Sequence, residues 1–313
     1  MPSRQFSAPA SISGAAQRFI NGSEPLVAFD IQHAALLAKR REIHALVAPG
    51  GVAVKENLGV SVTRGSIGGV EVQWISPQTP RNANTIVYFF GGGHITGSPD
   101  EDLVITARIA HFTGSRVCAP WYRLAPENPY PAALDDAVAV YTGLMAGQDA
   151  SGLALAGESA GANLVLALMG VLAARGHAMP AVLALLSPWC DLTHSGDTIR
   201  TLNGIDPTLD LDHHLQHMAR AYAAGRALES PGISPLFADV PHGFPPTIIT
   251  TGTRDVLLSD CARLSTKLRA AGVTVDLQVT EGMWHVFEYY PDIPEGEASV
   301  RQIAGFLNRF LSP

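Results

Sequence analysis

Ser159 stands between two glycines in Gly157-Glu158-Ser159-Ala160-Gly161, after an apolar run and before a segment of small and helix-forming residues, Ala160–Ala174. Such a sequence suits a buried strand turning sharply into a helix, with the serine at the apex. The apex backbone is strained, so small neighbours are needed, and the hydroxyl then stands clear of the sheet beside the helix N-terminus. A serine hydroxyl is a poor nucleophile at neutral pH and needs a base, and that base needs an orienting group. Asp255 follows the run Thr247–Thr251 and the turn Thr251-Gly252-Thr253, and His285 lies in Glu281-Gly282-Met283-Trp284-His285-Val286-Phe287, just past the next strand-like stretch. Both are expected at strand C-terminal ends, on the edge where Ser159 emerges. The roles would be nucleophile, orienting carboxylate and general base. Acyl transfer also needs a trap for the oxyanion. Gly91-Gly92-Gly93 follows the continuous apolar run Thr85–Phe90, and the N–H groups of Gly92, Gly93 and Ala160 would supply three donors.

The surrounding pattern says what positions these groups. Residues 1–50 read as mostly helical, with Phe29–Val47 the best segment, ending at Pro49-Gly50-Gly51. Two strands, Asn57–Arg64 and Gly69–Ser76, are expected around a Gly65–Gly68 turn. After them strands and helices alternate: a strand at Thr85–Phe90, a helix at Asp100–Phe112, a strand at Arg116–Ala119, a helix at Ala132–Met145, then the Gly152–Gly157 strand with its helix and a strand at Ala181–Ser187. The last third holds a strand at Thr247–Thr251, a helix at Ser259–Ala271, a strand at Thr274–Val279 and a helix at Ala298–Leu311. That alternation predicts an α/β fold with a mostly parallel sheet of about eight strands and helices on both faces. About sixty residues, 188–246, interrupt it without a clear strand, and an insertion of that length reads as a functional lid. The expected division is therefore 1–50 as an N-terminal helical cap segment, 51–187 and 247–313 as the core, and 188–246 as a cap insertion.

These motifs together resemble the hormone-sensitive-lipase-like branch of the α/β hydrolases, a bacterial family of carboxylesterases. That branch carries His-Gly-Gly-Gly, Tyr-Arg-Leu-Ala-Pro-Glu, Gly-Asp-Ser-Ala-Gly, Asp-Pro-Leu-x-Asp and a late His. Here the matching stretches are Phe90-Gly91-Gly92-Gly93, Tyr122-Arg123-Leu124-Ala125-Pro126-Glu127, Gly157–Gly161, Asp255-Val256-Leu257-Leu258-Ser259-Asp260 and Trp284-His285-Val286-Phe287, over roughly residues 55–310. The resemblance implies a serine hydrolase of the α/β-hydrolase fold with the triad Ser159, Asp255 and His285. It would cleave small-molecule carboxylic esters of short to medium acyl chain through an acyl-enzyme, without a cofactor or a metal. It also implies a homodimer as one oligomeric state. Two positions depart from the family. Phe90 replaces the histidine thought to pin the oxyanion loop, and the sequence leaves three roles open for His94: replacing that contact, lining the acyl pocket, or neither. Glu158 replaces an aspartate, keeping the charge on a longer reach. His94, Glu158, Trp189 and Val286 are the candidate substrate-binding residues.

His94 is the rival base, and Asp191 and Asp260 are rival acids. His213 and His217 are spaced as metal ligands on a helix, but no Glu lies between them as in His-Glu-x-x-His, which favours a solvated helix. The loop Tyr122–Glu127 reads as structural, its Arg and Glu holding the active-site floor by ion pairing. Alternatives to a general esterase are a lactone or amide hydrolase with the same triad, and a non-catalytic binding protein on the same fold. A net charge of −7 offers no basic stripe to nucleic acid. No apolar run reaches the length of a membrane span, and residues 1–20 lack the apolar core of a secretory signal, so a cytoplasmic address is expected. Three widely spaced cysteines, without a C-x-x-C pair, imply neither a disulfide framework nor a thiolate zinc site.

Overall fold

The computed structural model describes residues 7–24 and 33–312. Its elements run α1 (Gly14–Gly22), α2 (His33–Leu58), β1 (Ser61–Ile67), β2 (Val70–Ser76), β3 (Thr85–Phe89), α3 (Leu103–Thr113), β4 (Arg116–Pro120), α4 (Ala132–Met145), β5 (Leu153–Glu158), α5 (Ala160–Ala174) and β6 (Val182–Leu186). After them come α6 (Thr198–Thr201), a π-helical turn (Leu211–Leu215), α7 (Gln216–Ala223), β7 (Thr247–Gly252), α8 (Leu258–Ala270), β8 (Val275–Thr280) and α9 (Pro294–Phe310). Among the described residues the strands form one eight-stranded sheet in the order β1-β2-β4-β3-β5-β6-β7-β8. β2 runs antiparallel to both of its neighbours, and every pairing from β4 to β8 is parallel.

The strand compositions explain this. β3 (TIVYF), β5 (LALAGE) and β6 (VLALL) are buried along their whole length, as parallel strands covered on both faces must be. α5 is buried at every position from Ala160 to Met169, which its Ala- and Leu-rich sequence permits. Consecutive parallel strands need crossovers, and α3, α5 and α8 supply them in the expected places.

Several expected boundaries move. Pro49 does not end a helix: α2 continues through it to Leu58, so the expected division at residue 50 falls inside a helix. Packing overrides the breaker there. Gly51 lies so close to α3 that a Cβ on it would sit 2.8 Å from Leu103 Cβ, and Leu36 and Val54 are buried in the core. The part of the expected Phe29–Val47 helix at 29–32, like the first six residues, lies outside the described residues. Because α2 takes residues 57 and 58, β1 begins at Ser61, and the hairpin turns at Gly68-Gly69, both with positive φ, leaving Gly65 inside β1. α9 starts at Pro294, four residues early, with Pro at the first turn and Glu295 and Glu297 facing the helix dipole. No described helix is long and apolar enough to cross a membrane.

Candidate active site

Ser159 occupies the turn between β5 and α5 with φ 51° and ψ −116°, a conformation that costs a non-glycine residue strain. Its neighbours hold it there. The Ser159 N–H donates to Leu186 O at the end of β6 (2.9 Å), and its carbonyl accepts from Asn163 N (3.1 Å) and Trp189 N (3.2 Å). A Cβ on Gly157 would lie 2.6 Å from the Gly161 carbonyl carbon, and one on Gly161 would collide with Phe89 O. The two flanking glycines are therefore required by the closeness of α5 to its own strand and to β3.

The other two members of the expected triad are brought together by the ends of β7 and β8. His285 Nδ1 lies 3.2 Å from Asp255 Oδ1. The same carboxylate accepts from Leu257 N (2.9 Å) and, on its other oxygen, from Thr251 Oγ1 (2.8 Å). Burial works against its charge, but His285, the Leu257 N–H and the Ser187 hydroxyl hold Asp255 below the usual carboxylate range. Burial likewise disfavours the imidazolium, but the charge of Asp255, joined by Asp206 and Glu158, carries His285 up to about 8. Ser159 and His285 line one cavity of about 210 Å³, and among the described residues no hydrogen bond joins them. The rival acids are committed elsewhere. Asp191 pairs with Arg263 at 2.6 Å, and Asp260 accepts from the backbone N–H groups of Cys190 (3.0 Å) and Asp191 (2.9 Å).

The three glycines form a tight turn. Gly92 O accepts from Ile95 N (3.1 Å), Thr96 N (2.9 Å) and Thr96 Oγ1 (3.0 Å), while Gly92 and Gly93 take φ of 90° and 63°. Gly92 and Gly93 line the cavity, and Ala160, the first residue of α5, is fully buried behind Ser159. Among the described residues no hydrogen bond uses the N–H of these three. Phe90 fills the family's histidine position by stacking on Tyr122 at 4.1 Å, and Tyr122 Oη donates to Phe90 O at 2.6 Å. A second clamp comes from α2, whose Arg40 donates to Ile95 O (2.7 Å) and Ala125 O (2.8 Å) while pairing with Glu127. Both charged residues of the loop Tyr122–Glu127 form ion pairs, each with a partner outside the loop: Glu127 with Arg40 and Arg123 with Asp136.

Of the four candidate substrate-binding residues, Glu158 and Val286 line the cavity, and His94 and Trp189 do not. His94 has φ 62° and stacks on Tyr222 at 3.7 Å, and its carbonyl accepts from Ala125 N (2.9 Å). Burial takes its pKa down to about 3, so it stays neutral. Trp189, near the start of the insertion, is fully buried and stacks on His194 at 5.9 Å. Glu158 is pushed up to about 7 by burial, and a Cβ on Gly91 would collide with its carboxylate. His213 stands 2.5 Å from Asp210, at the N-terminus of the turn that leads into α7. The rest of the wall carries no motif in the sequence: Thr208, Leu209, His214, Leu215 and Met218 from the insertion, and Tyr289 and Tyr290 after His285. Asp206, buried against the His285 backbone, is equally silent in the sequence, because an isolated Asp before a Pro carries no signal of its own.

A family model described by the α/β hydrolase fold matches residues 86–289. An acetyl-hydrolase of Streptomyces hygroscopicus is 34% identical over 244 residues, spanning 77% of this chain and 81% of that protein. The crystal structure of an esterase, E25, superposes with a TM-score of 0.93 at 32% identity, covering 100% of this chain and 98% of that one. A hormone-sensitive lipase from a metagenome library superposes with a TM-score of 0.84 at 34% identity, covering 95% and 96%.

Proposed function

We propose that this chain, which belongs to the hormone-sensitive-lipase-like carboxylesterases of the α/β hydrolase fold and is a carboxylic ester hydrolase, works through an acyl-enzyme formed on Ser159. The observation that carries the reading is His285 Nδ1 on Asp255 at 3.2 Å, with the ring facing the cavity that Ser159 also lines. Asp255 fixes the ring so that Nε2 is free to take the serine proton as Oγ attacks the ester carbonyl. The N–H groups of Gly92, Gly93 and Ala160 receive the oxyanion. His285 returns the proton to the departing alcohol, and water repeats the sequence on the acyl-enzyme. The insertion, with the N-terminal helices, is the cap over this edge.

A cavity of about 210 Å³ supports substrates of short to medium acyl chain, toward the short end. The name of the Streptomyces relative, an acetyl-hydrolase, agrees with that size. Three buried free thiols, Cys118, Cys190 and Cys261, suit a reducing, cytoplasmic setting. Pairing into a homodimer is part of the same reading; β8 closes one edge of the sheet and exposes Val279 there, and light scattering would read the mass.

The test is kcat/KM across p-nitrophenyl esters from two to sixteen carbons, on wild type and Ser159→Ala, with fluorophosphonate labelling alongside. The expected result is a peak at short chains that falls by about 10⁴-fold or more in Ser159→Ala, together with loss of the label. Near-wild-type hydrolysis by Ser159→Ala would sink the acyl-enzyme reading. A flat profile with Ser159 still labelled would keep the triad and move the substrate to lactones or amides.

A further inference from the structure

Asp206 lies in the insertion, yet it reaches the heart of the site. Its side chain is buried, at 3% exposure, and each of its oxygens serves a different partner. Oδ2 accepts from the backbone N–H of His285 (3.1 Å) and from that of Val256, the residue after Asp255 (3.4 Å). Oδ1 accepts from Thr208 N (2.9 Å), Thr208 Oγ1 (2.9 Å) and Leu209 N (3.2 Å), and Thr208 and Leu209 form part of the cavity wall. One carboxylate thus ties together the main chain of the catalytic histidine, the loop after Asp255 and the wall that the substrate meets.

We infer that Asp206 is a positioning residue for ester hydrolysis, which fixes the backbone of His285 and couples its placement to the insertion. The inference rests on the triad reading above. Five donors on one buried carboxylate are more than a cap on a short turn requires, and two of them belong to the segments that carry Asp255 and His285. Asp206 also adds negative charge beside the imidazole. The groups facing His285 are Asp255 from the loop after β7, Asp206 from the insertion and Glu158 from the elbow. Those facing Asp206 are Asp255, His285 and Tyr290. Because a neighbouring negative charge favours the imidazolium, removing it moves the pH at which His285 becomes a competent base downward.

Asp206→Asn, made in the full chain, separates this role from simple support of the fold. The carboxamide keeps the shape, loses the charge, and can accept on one side only. Wild-type labelling by a fluorophosphonate first establishes the serine nucleophile; an unlabelled wild type would remove the triad reading and this inference with it. Given a labelled wild type, Asp206→Asn is expected to lower kcat by about ten- to a hundredfold, because small misplacements of a base cost that much. It should also move the acidic limb of kcat/KM to lower pH. An unchanged kcat, or a fall in kcat with the acidic limb unmoved, would overturn the inference while leaving the triad intact. If Asp206→Asn does not accumulate as folded protein, Thr208→Val takes its place. It removes one Asp206 contact at constant shape and should lower kcat several-fold, by more than it changes KM. An unchanged kcat in the folded variant would overturn the inference.

Discussion

The sheet edge and the insertion face each other across one cavity, and they are built on different principles. Ser159, Asp255 and His285 sit within a few residues of the C-terminal ends of β5, β7 and β8, so the parallel ladder sets their spacing. The backbones of Ser159 and Asp255 are tied to that ladder by main-chain bonds, Ser159 N–H to Leu186 O and Asp255 N–H to Gly252 O (3.1 Å), whereas the His285 N–H is held by Asp206. The opposite wall has no ladder. It follows an irregular path through a π-helical turn, held by side chains acting on backbone: Asn203 Oδ1 accepts from Leu211 N (2.9 Å) and Asp210 Oδ1 from His213 N (2.8 Å). A wall held by side chains is more readily reshaped by a single substitution than an edge held by a sheet. On the proposed mechanism, rate belongs to the edge and choice of substrate to the insertion. Asp206 is where the two meet.

The contrast is broken most directly at the edge. Asp255→Asn keeps the shape but cannot accept the imidazole N–H with a charge, and Asp206 cannot substitute because it touches the backbone of His285 and not the ring. The expected loss is about 10³–10⁴-fold in kcat with KM little changed. The pH profile shifts too. In wild type the ester-hydrolysis rate should rise with pH up to about 8, where the raised His285 becomes neutral, and Asp255→Asn should move that limb to lower pH. A wild-type limb below 6, or a loss confined to KM, would contradict the assignment of rate to this pair.

Gly91→Ala is the next most damaging change. The new Cβ collides with the Glu158 carboxylate, so either the oxyanion loop or the residue beside the nucleophile must shift. Because oxyanion donors act only when placed to a fraction of an ångström, kcat should fall by about 10²-fold. KM should hold, since the insertion wall is untouched. Thermal unfolding measured alongside shows whether the variant is folded; a folded variant with unchanged kcat would mean that Glu158 does not brace the loop.

This division also explains what could be read from the sequence. The elbow, the three glycines and the Asp–His pair were legible because each is local: a few residues of fixed type follow a strand of recognisable composition. Glu158 and Val286 were legible as neighbours of those motifs. His94 and Trp189 were misplaced for the same reason, since adjacency in sequence does not say which way a side chain turns, and both turn inward toward Tyr222 and His194. Asp206, Arg40 and Met218 lie 79, 55 and 125 residues from the groups they act on (His285, Ile95 and Gly93), with no motif around them. Pro49 shows the converse case: a local stop signal was overruled by the packing of α2 against α3.

The smallest expected effect tests the insertion's side of the contrast. Met218 on α7 packs its Sδ against Gly93, so closely that a Cβ on that glycine would collide with it, and it lines the cavity. It therefore limits the space beside the oxyanion loop without holding any triad member. Met218→Ala removes the flexible thioether and leaves Ser159, Asp255 and His285 in place. Each methylene that the enlarged cavity accepts is worth about 0.8 kcal/mol, or about fourfold in kcat/KM. The ester-length profile should therefore shift toward longer chains by about that factor per added carbon, with kcat for the shortest ester nearly unchanged. If the profile keeps its shape and only its height falls, Met218 supports the oxyanion loop instead of bounding the substrate. The line between rate and choice would then run through the insertion and not along its border with the sheet.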